Sequence, residues 1–347
     1  MDSLTLFAMG ALVGLTVSLL DRRMFGAGAP PTSTRDGGES ARAPTEISGA
    51  GWRKVALRTW REFSEDRIPA VAAGATFYGL LALFPAVGAF VSLYGLFANV
   101  EEARRQIASL RGILPEGAII VLGEQMTRLA AMPHSGLGAT FLVSLLLSLW
   151  SSNAGVKALI GGLNVAYEER ERRDFLQLNL VSLSFTAGAV VFAMLAAAAV
   201  GGAPATLARL GWSGFEVASV LRWPALLVVA MGLLSVLYRY APSRAHARWR
   251  WVTPGGVCAA IGWLAMSLGY SDYVANFGHF DRTYGSLGAV VGFMTWIWLS
   301  LIVVLFGAEL NAELEQQTKV DTTTGAAKPP GARGAAVADG ARRAPAG

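Results

Sequence analysis

GSLGAVVGFMTWIWLSLIVVLFGAELN, residues 285–311, decides how this chain folds. From Gly285 to Ala308 it runs 24 residues without a charge, and about 20 mostly apolar residues let a helix cross the hydrocarbon core of a bilayer. Five further segments read the same way, at about 70–97, 138–163, 176–200, 219–240 and 251–276. Pro69 and Pro254 suit the first turns of their helices, with Thr253 as an N-cap before Pro254. Pro85 falls inside its segment and should kink it.

Composition agrees. The 347 residues are 53% hydrophobic and 15% charged, with mean hydropathy +0.45, whereas soluble chains are about 25% charged. The excess apolar surface must face something other than water. The single cysteine, Cys258, excludes an internal disulfide framework and any multi-cysteine metal site.

Before the six segments, Leu4–Leu20 is a shorter apolar stretch with Asp2 before it and Arg22 and Arg23 after it. A secretory signal carries its positive charge first, so this order favours an uncleaved anchor over residues 1–23. Ala27-Gly28-Ala29 leaves cleavage open. Residues 24–51 are rich in Gly, Pro, Ser and Thr and read as a flexible linker. Trp52–Arg67 then places Trp52, Val55, Ala56, Trp60 and Phe63 at helical spacing among five basic residues, a basic amphipathic helix suited to an anionic leaflet. Residues 99–133 carry Ile107, Leu110 and Leu114, then Ile119, Leu122, Met126 and Leu129, divided by Pro115 and Gly117. They read as two short amphipathic helices on the opposite face. Residues 318–347 are low in complexity and read as a disordered tail.

The charges orient the chain. Stretches 21–67, 168–174, 239–250 and 318–347 hold 21 Lys and Arg, against 7 in 98–137, 201–222 and 277–284. An alternating threefold bias is the positive-inside pattern. It places the C-terminus in the cytoplasm and the N-terminus outside, in a bacterial-type inner membrane. The net charge of +5 is thereby an orientation signal, not the mark of a nucleic-acid partner.

Within the spans, LWSSNAGVKALIGGLNVAYE, residues 149–168, is the densest polar patch. Asn153, Lys157 and Asn164 lie close to one helical face, and Gly161 shares it. Lys157 either snorkels to the near boundary or pairs with Glu309, at similar depth in the last helix. With Asn311 these residues form a candidate polar path. On the outer side Asp272, Asn276 and Arg282 form a candidate vestibule, unless Tyr270, Tyr273 and Tyr284 simply make an interfacial belt. His134, His246 and His279 fall on outer, inner and outer sides and cannot share a metal. No nucleophile elbow, phosphate-binding loop or CxxC motif occurs, so no cofactor, catalytic site or enzyme activity is expected. Gly288 with Gly292, and Gly10 with Gly14, are helix-packing motifs.

Four stretches resemble the YihY/BrkB family of inner-membrane proteins: AAGATFYGLLALFP (72–85), LWSSNAGVKALIGGLNVAYEERERRDF (149–175), YRYAPSRAHARWRWVTPGG (238–256) and FDRTYGSLGAVVGFMTWIWLSLIVVLFGAELNAELEQ (280–316). The resemblance covers roughly 53–317 and implies a six-helix transmembrane domain, here over 52–317. The N-terminal anchor departs from that pattern. The family was formerly labelled a tRNA-processing ribonuclease, a label regarded as a misassignment, and is linked to traffic of envelope lipids. The resemblance thus implies a protein that transports or accommodates lipid-like components, with membrane lipids as partners. A non-transporting scaffold is the alternative and a membrane-anchored ribonuclease the third reading. A homo-oligomer is compatible with the sequence.

Overall fold

The computed structural model describes residues 37–94, 119, 120, 123, 139–197, 215–276 and 288–340. Seven helices of four turns or more follow in order: α1 (Gly49–Glu65), α2 (Ile68–Tyr94), α3 (Ala139–Ala166), α4 (Phe175–Ala197), α5 (Phe215–Tyr240), α6 (Trp249–Asn276) and α7 (Gly288–Gln316). A short α8 (Ala336–Asp339) closes the described chain. Among the described residues all regular structure is helical, apart from one isolated antiparallel bridge between Ala247 and Thr323.

All six long apolar segments are helices. The shortest, α4, has 23 residues, about 35 Å at 1.5 Å per residue, enough for a hydrocarbon core of about 30 Å. By length and composition α4, α6 and α7 can cross a membrane, and the apolar helical stretches Ile68–Ala82 in α2 and Pro224–Tyr240 in α5 are shorter. α4 leaves Phe175, Leu176, Leu180, Val191 and Leu195 exposed, a contiguous apolar surface that water would penalise and lipid would not.

The helices pack around α7, which meets α6, α2, α1 and α3, while α2 and α3 form the most extensive pair. Small residues set the distances. A Cβ on Gly255 would overlap the Gly307 carbonyl oxygen and the Asn311 amide, and one on Gly307 would lie 2.8 Å from the Ala259 Cβ. α6 and α7 therefore touch backbone to backbone, as small residues permit in lipid. Indole N–H groups, costly to leave unpaired in hydrocarbon, find partners: Trp296 donates to Ser267 Oγ, Trp263 to Ser300 Oγ and Trp298 to Pro69 O, at 2.8–3.0 Å.

Several expectations need correction. Pro254 does not open its helix. α6 starts at Trp249, so Pro254 is its sixth residue, and Thr253 Oγ1 bonds back to Trp249 O at 2.8 Å instead of capping. The interruption is tolerated because Asn311 of α7 reaches in, accepting from Gly255 N at 2.7 Å and donating to Val252 O at 3.0 Å. The described part of the expected linker is ordered. Ser48 caps α1, Ala41 and Ile47 are buried against Val55, Trp251 and Leu314, and Gln317 and Thr318 bond to Gly37 O and Ala41 O. Nor is 318–340 a disordered tail. Asp321 accepts from Thr323 N and Lys328 N, and the Arg333 guanidinium donates to the carbonyls of Lys319, Lys328 and Ala338. Polar satisfaction rather than an apolar core folds this segment, which is why its composition misleads.

The N-terminal anchor at 1–23, residues 24–36, nearly all of 99–133, His134, His279, Asp281, Arg282 and Tyr284 lie outside the described residues.

Candidate functional site at the basic end of the bundle

Buried polar groups collect at one end of the bundle, where α3 passes to α4, α5 passes to α6, and α7 runs into the tail. α3 ends in a Schellman turn: Glu169 N donates to Asn164 O at 2.7 Å and Glu168 N to Val165 O at 2.9 Å. Glu168 takes the left-handed position, φ 55°, where glycine is usual, and its carboxylate accepts from Gln316 at 2.9 Å. The turn directs the following loop back over the helix ends.

That loop is fixed by Asn164, whose Nδ2 donates to Glu171 Oε2 at 3.0 Å while its Oδ1 accepts from Ser243 N at 2.8 Å. Glu171 receives two guanidinium bonds from Arg173, both 2.8 Å, and Arg173 also donates to Ala241 O. Burial pushes the Glu171 carboxyl up, but the Arg173 and Asn164 hydrogen bonds outweigh it and hold it at about 2, against an ordinary 4.5. A folded-state value below the unfolded one stabilises above about pH 4.5, and that contribution is lost as pH falls towards 2. Glu171→Gln should therefore unfold more easily than the parent at pH 7, with the gap closing in an acid titration between pH 5 and about 2.

Beneath the loop lies a fully buried ion pair, Arg244 Nη2 to Glu315 Oε1 at 2.6 Å. Arg244 stacks 4.2 Å over the Tyr167 ring, and Glu315 Oε2 accepts from Thr322 Oγ1 at 2.7 Å. Asn311 Nδ2 reaches Tyr167 OH at 3.3 Å. On the α1 side Arg58 pairs with Glu313 at 2.5 Å and donates to Gln317 at 2.9 Å. The tail is held by Glu169, which accepts from Ala336 N at 2.7 Å. Burial, first, pushes the Glu169 carboxyl up, against the pull of that bond and of Arg244 and Arg172.

Between the two loops and Gly334 of the tail opens a cavity of 360 Å³ lined by Arg172, Arg173, Val181, Tyr240, Pro242, Ser243, Arg244, Ala245 and His246. His246 Nδ1 lies 3.2 Å from Arg239 O and its ring meets Tyr240 edge to face. Burial, then the charges of Arg239 and Arg244, hold its pKa below the ordinary 6.5. With Nδ1–H given to the Arg239 carbonyl, the neutral ring leaves Nε2 as a hydrogen-bond acceptor facing the cavity lining.

The residues read as a polar path have separate partners. Asn153 is buried and donates to Asn179 Oδ1 on α4 at 3.3 Å. Asn164 and Asn311 spend their amides on backbone and loop partners. No ion pair joins Lys157 to Glu309. The lysine ammonium instead lies 5.8 Å from the Trp150 ring and 5.6 Å from that of Phe175, both exposed, while Glu309 is buried against Asp66 at the end of α1. A four-carbon stem lets Lys157 leave the inward face for the surface. Lys157→Met and Glu309→Gln should therefore be additive within about 0.5 kcal/mol in a double-mutant cycle read by unfolding in mixed micelles. Of the outer vestibule, Asn276 bonds the Asp272 carbonyl and carboxylate one turn back at 3.0 and 2.9 Å, and Arg282 lies outside the described residues. Tyr270 is buried, donating to Gly292 O at 2.8 Å, whereas Tyr273 is exposed.

Arg244, Glu315, Tyr167, Ser243 and the Glu171–Arg173 pair do not stand out in the sequence. One signal was present: loop 168–174 mixes three basic with four acidic residues, more than orientation requires, and mixed signs at that density call for pairing.

The profile of the family described as Virulence factor BrkB matches residues 59–332. The chain is 34% identical to a Bacillus subtilis protein named ribonuclease-like YfkH, over 53% of this chain and 68% of that one. It is 25% identical to a UPF0761 membrane protein of Tolumonas auensis, over 76% and 85%. A UPF0761 membrane protein of Neisseria meningitidis serogroup B is 29% identical over 77% of this chain, which spans 66% of that relative's length. No solved structure matches the chain.

Proposed function

This chain belongs to the virulence factor BrkB family of membrane proteins, and from that premise we propose that it accommodates or transports lipid-like, amphipathic components of the bacterial envelope. We place the six long helices across the inner membrane, with a seventh span at residues 4–20 and the basic end in the cytoplasm. The observation that carries the reading is the juxtaposition at that end. A 360 Å³ cavity lined by arginines shares α4 with the exposed apolar run Phe175, Leu176 and Leu180. An amphipath needs both surfaces side by side.

The ribonuclease-like name belongs to the Bacillus relative. Here the carboxylates paired with the arginines of the His246 cavity are engaged: Glu171 by Arg173 and Glu315 by Arg244 and Thr322. A general acid–base pair needs free partners within hydrogen-bond reach. The scaffold reading draws on the ordered platform that α1 and the tail build at the basic end, with Arg53, Lys54, Leu57 and Trp60 exposed on α1.

Mass spectrometry of lipids retained by the purified protein tests the proposal. After exhaustive detergent exchange it should keep about one amphipath per chain, beyond what a control membrane protein of similar size keeps. Retention no greater than the control's would refute it. A cysteine placed at exposed Ala327, in a Cys258→Ala background, reports orientation: an impermeant reagent added to intact cells should leave it unlabelled.

A further inference from the structure

The arginines around the basic-end cavity carry more N–H donors than the protein satisfies. Arg173 is committed to Glu171 and Ala241 O. Arg244 gives one nitrogen to Glu315, but its Nε and Nη1, both buried, meet no protein acceptor. A guanidinium carries five N–H donors, and leaving buried donors unmatched costs about 1–3 kcal/mol each. Arg172 is the most loosely held of the three arginines: its side chain is 67% exposed and its ion pair, with Glu169, is 3.5 Å long. Glu169 gives Oε1 to Ala336 N of the tail, and its buried Oε2 has the Arg172 contact. Three arginines thus face three carboxylates, and of the three ion pairs Arg172–Glu169 is the long and exposed one, where a ligand anion can compete for the guanidinium.

The rest of the lining says what kind of anion fits. Val181, Tyr240 and Pro242 make apolar wall, and Val181 sits on α4, whose outer flank exposes Phe175, Leu176 and Leu180. The lining thus joins a polar loop layer to residues of apolar helices, one of which exposes apolar side chains. A bare soluble anion would use the first and waste the second. Phosphate offers several acceptor oxygens and matches guanidinium forks, and 360 Å³ lies in the range of ligand-holding cavities.

We infer that this cavity receives the phosphate of an anionic amphipath's headgroup, with Arg172 as its principal charge contact and the acyl chains laid along α4. The inference rests on the lipid-accommodating reading above and names the headgroup chemistry.

The test uses full-length protein in neutral detergent, presented with phosphatidylglycerol, phosphatidylcholine or inorganic phosphate. Binding is read by native mass spectrometry and by displacement of a fluorescent phosphatidylglycerol. Phosphatidylglycerol should be preferred over phosphatidylcholine by about tenfold, the scale of one charge-assisted hydrogen bond. Arg172→Gln should remove most of that preference and Arg172→Lys should retain part of it. Because Arg172 is exposed, both variants should keep the parent's thermal midpoint. Equal binding of the two lipids by the parent, or an unchanged preference in Arg172→Gln, overturns the inference. So does saturable inorganic phosphate binding without lipid selectivity, which would assign the site to a soluble anion. Lipid retained without headgroup preference removes this inference and leaves the broader function standing; no lipid retained at all removes both.

Discussion

Arg244→Met is expected to destabilise the protein by about 3–5 kcal/mol, the usual cost of stripping one partner from a buried ion pair. Glu315 would keep only its bond from Thr322 while its side chain stays fully buried, and the Tyr167 ring would lose the guanidinium stacked on it. The position also holds three segments together, since Tyr167 directly follows α3, Arg244 follows α5 and Glu315 belongs to the last turn of α7. Removing both charges by Arg244→Met with Glu315→Leu should recover a large part of the loss, because well-packed apolar replacements of buried pairs are often neutral. Unfolding in mixed micelles with rising dodecyl sulfate gives the comparison. Additive losses would mean that the two residues act separately.

Gly255→Ala is expected to be strongly destabilising. Its Cβ would overlap Gly307 O and the Asn311 amide, and overpacking of this kind costs about 1–3 kcal/mol. If Asn311 swings aside, Gly255 N and Val252 O lose their partner next to Pro254, where α6 already lacks one N–H. Each buried group left open adds about 1–3 kcal/mol. Gly161→Ala is the matched control: nothing lies within 4 Å of its Cβ position, so helix propensity alone should make it neutral or stabilising by up to about 1 kcal/mol. Equal losses at the two glycines would contradict the close α6–α7 contact.

These results separate what the sequence made legible from what it hid. The six apolar segments are helices, and where a helix end lies inside the described residues it falls within about five residues of the end read from hydropathy, because apolar composition is written residue by residue. The basic amphipathic helix before them is also present, beginning at Gly49 rather than Trp52. What could not be read is which polar residue meets which. Asn311 looked like the lining of a path, yet its partners are Gly255, Val252 and Tyr167, up to 144 positions away. Lys157 and Glu309 share a depth but not a neighbour. Depth follows from position along a helix, while azimuthal contacts depend on how α7 rotates against α6 and α3. The tail at 318–340 was missed for a related reason: it is held by Asp321, Arg333 and Asp339, and such bonds leave no trace in hydropathy.

The placement of an amphipath at the basic end is tested most directly by photo-crosslinking. A phosphatidylglycerol carrying a headgroup-proximal diazirine is incorporated into membranes holding the full-length protein, and labelled peptides are mapped. Labels should concentrate on the loop between α3 and α4 with the first turns of α4, and on the loop between α5 and α6, and should fall in Arg172→Gln. Labels spread over the exposed apolar residues of α3, α4 and α5 in proportion to their area, and unchanged in Arg172→Gln, would contradict it.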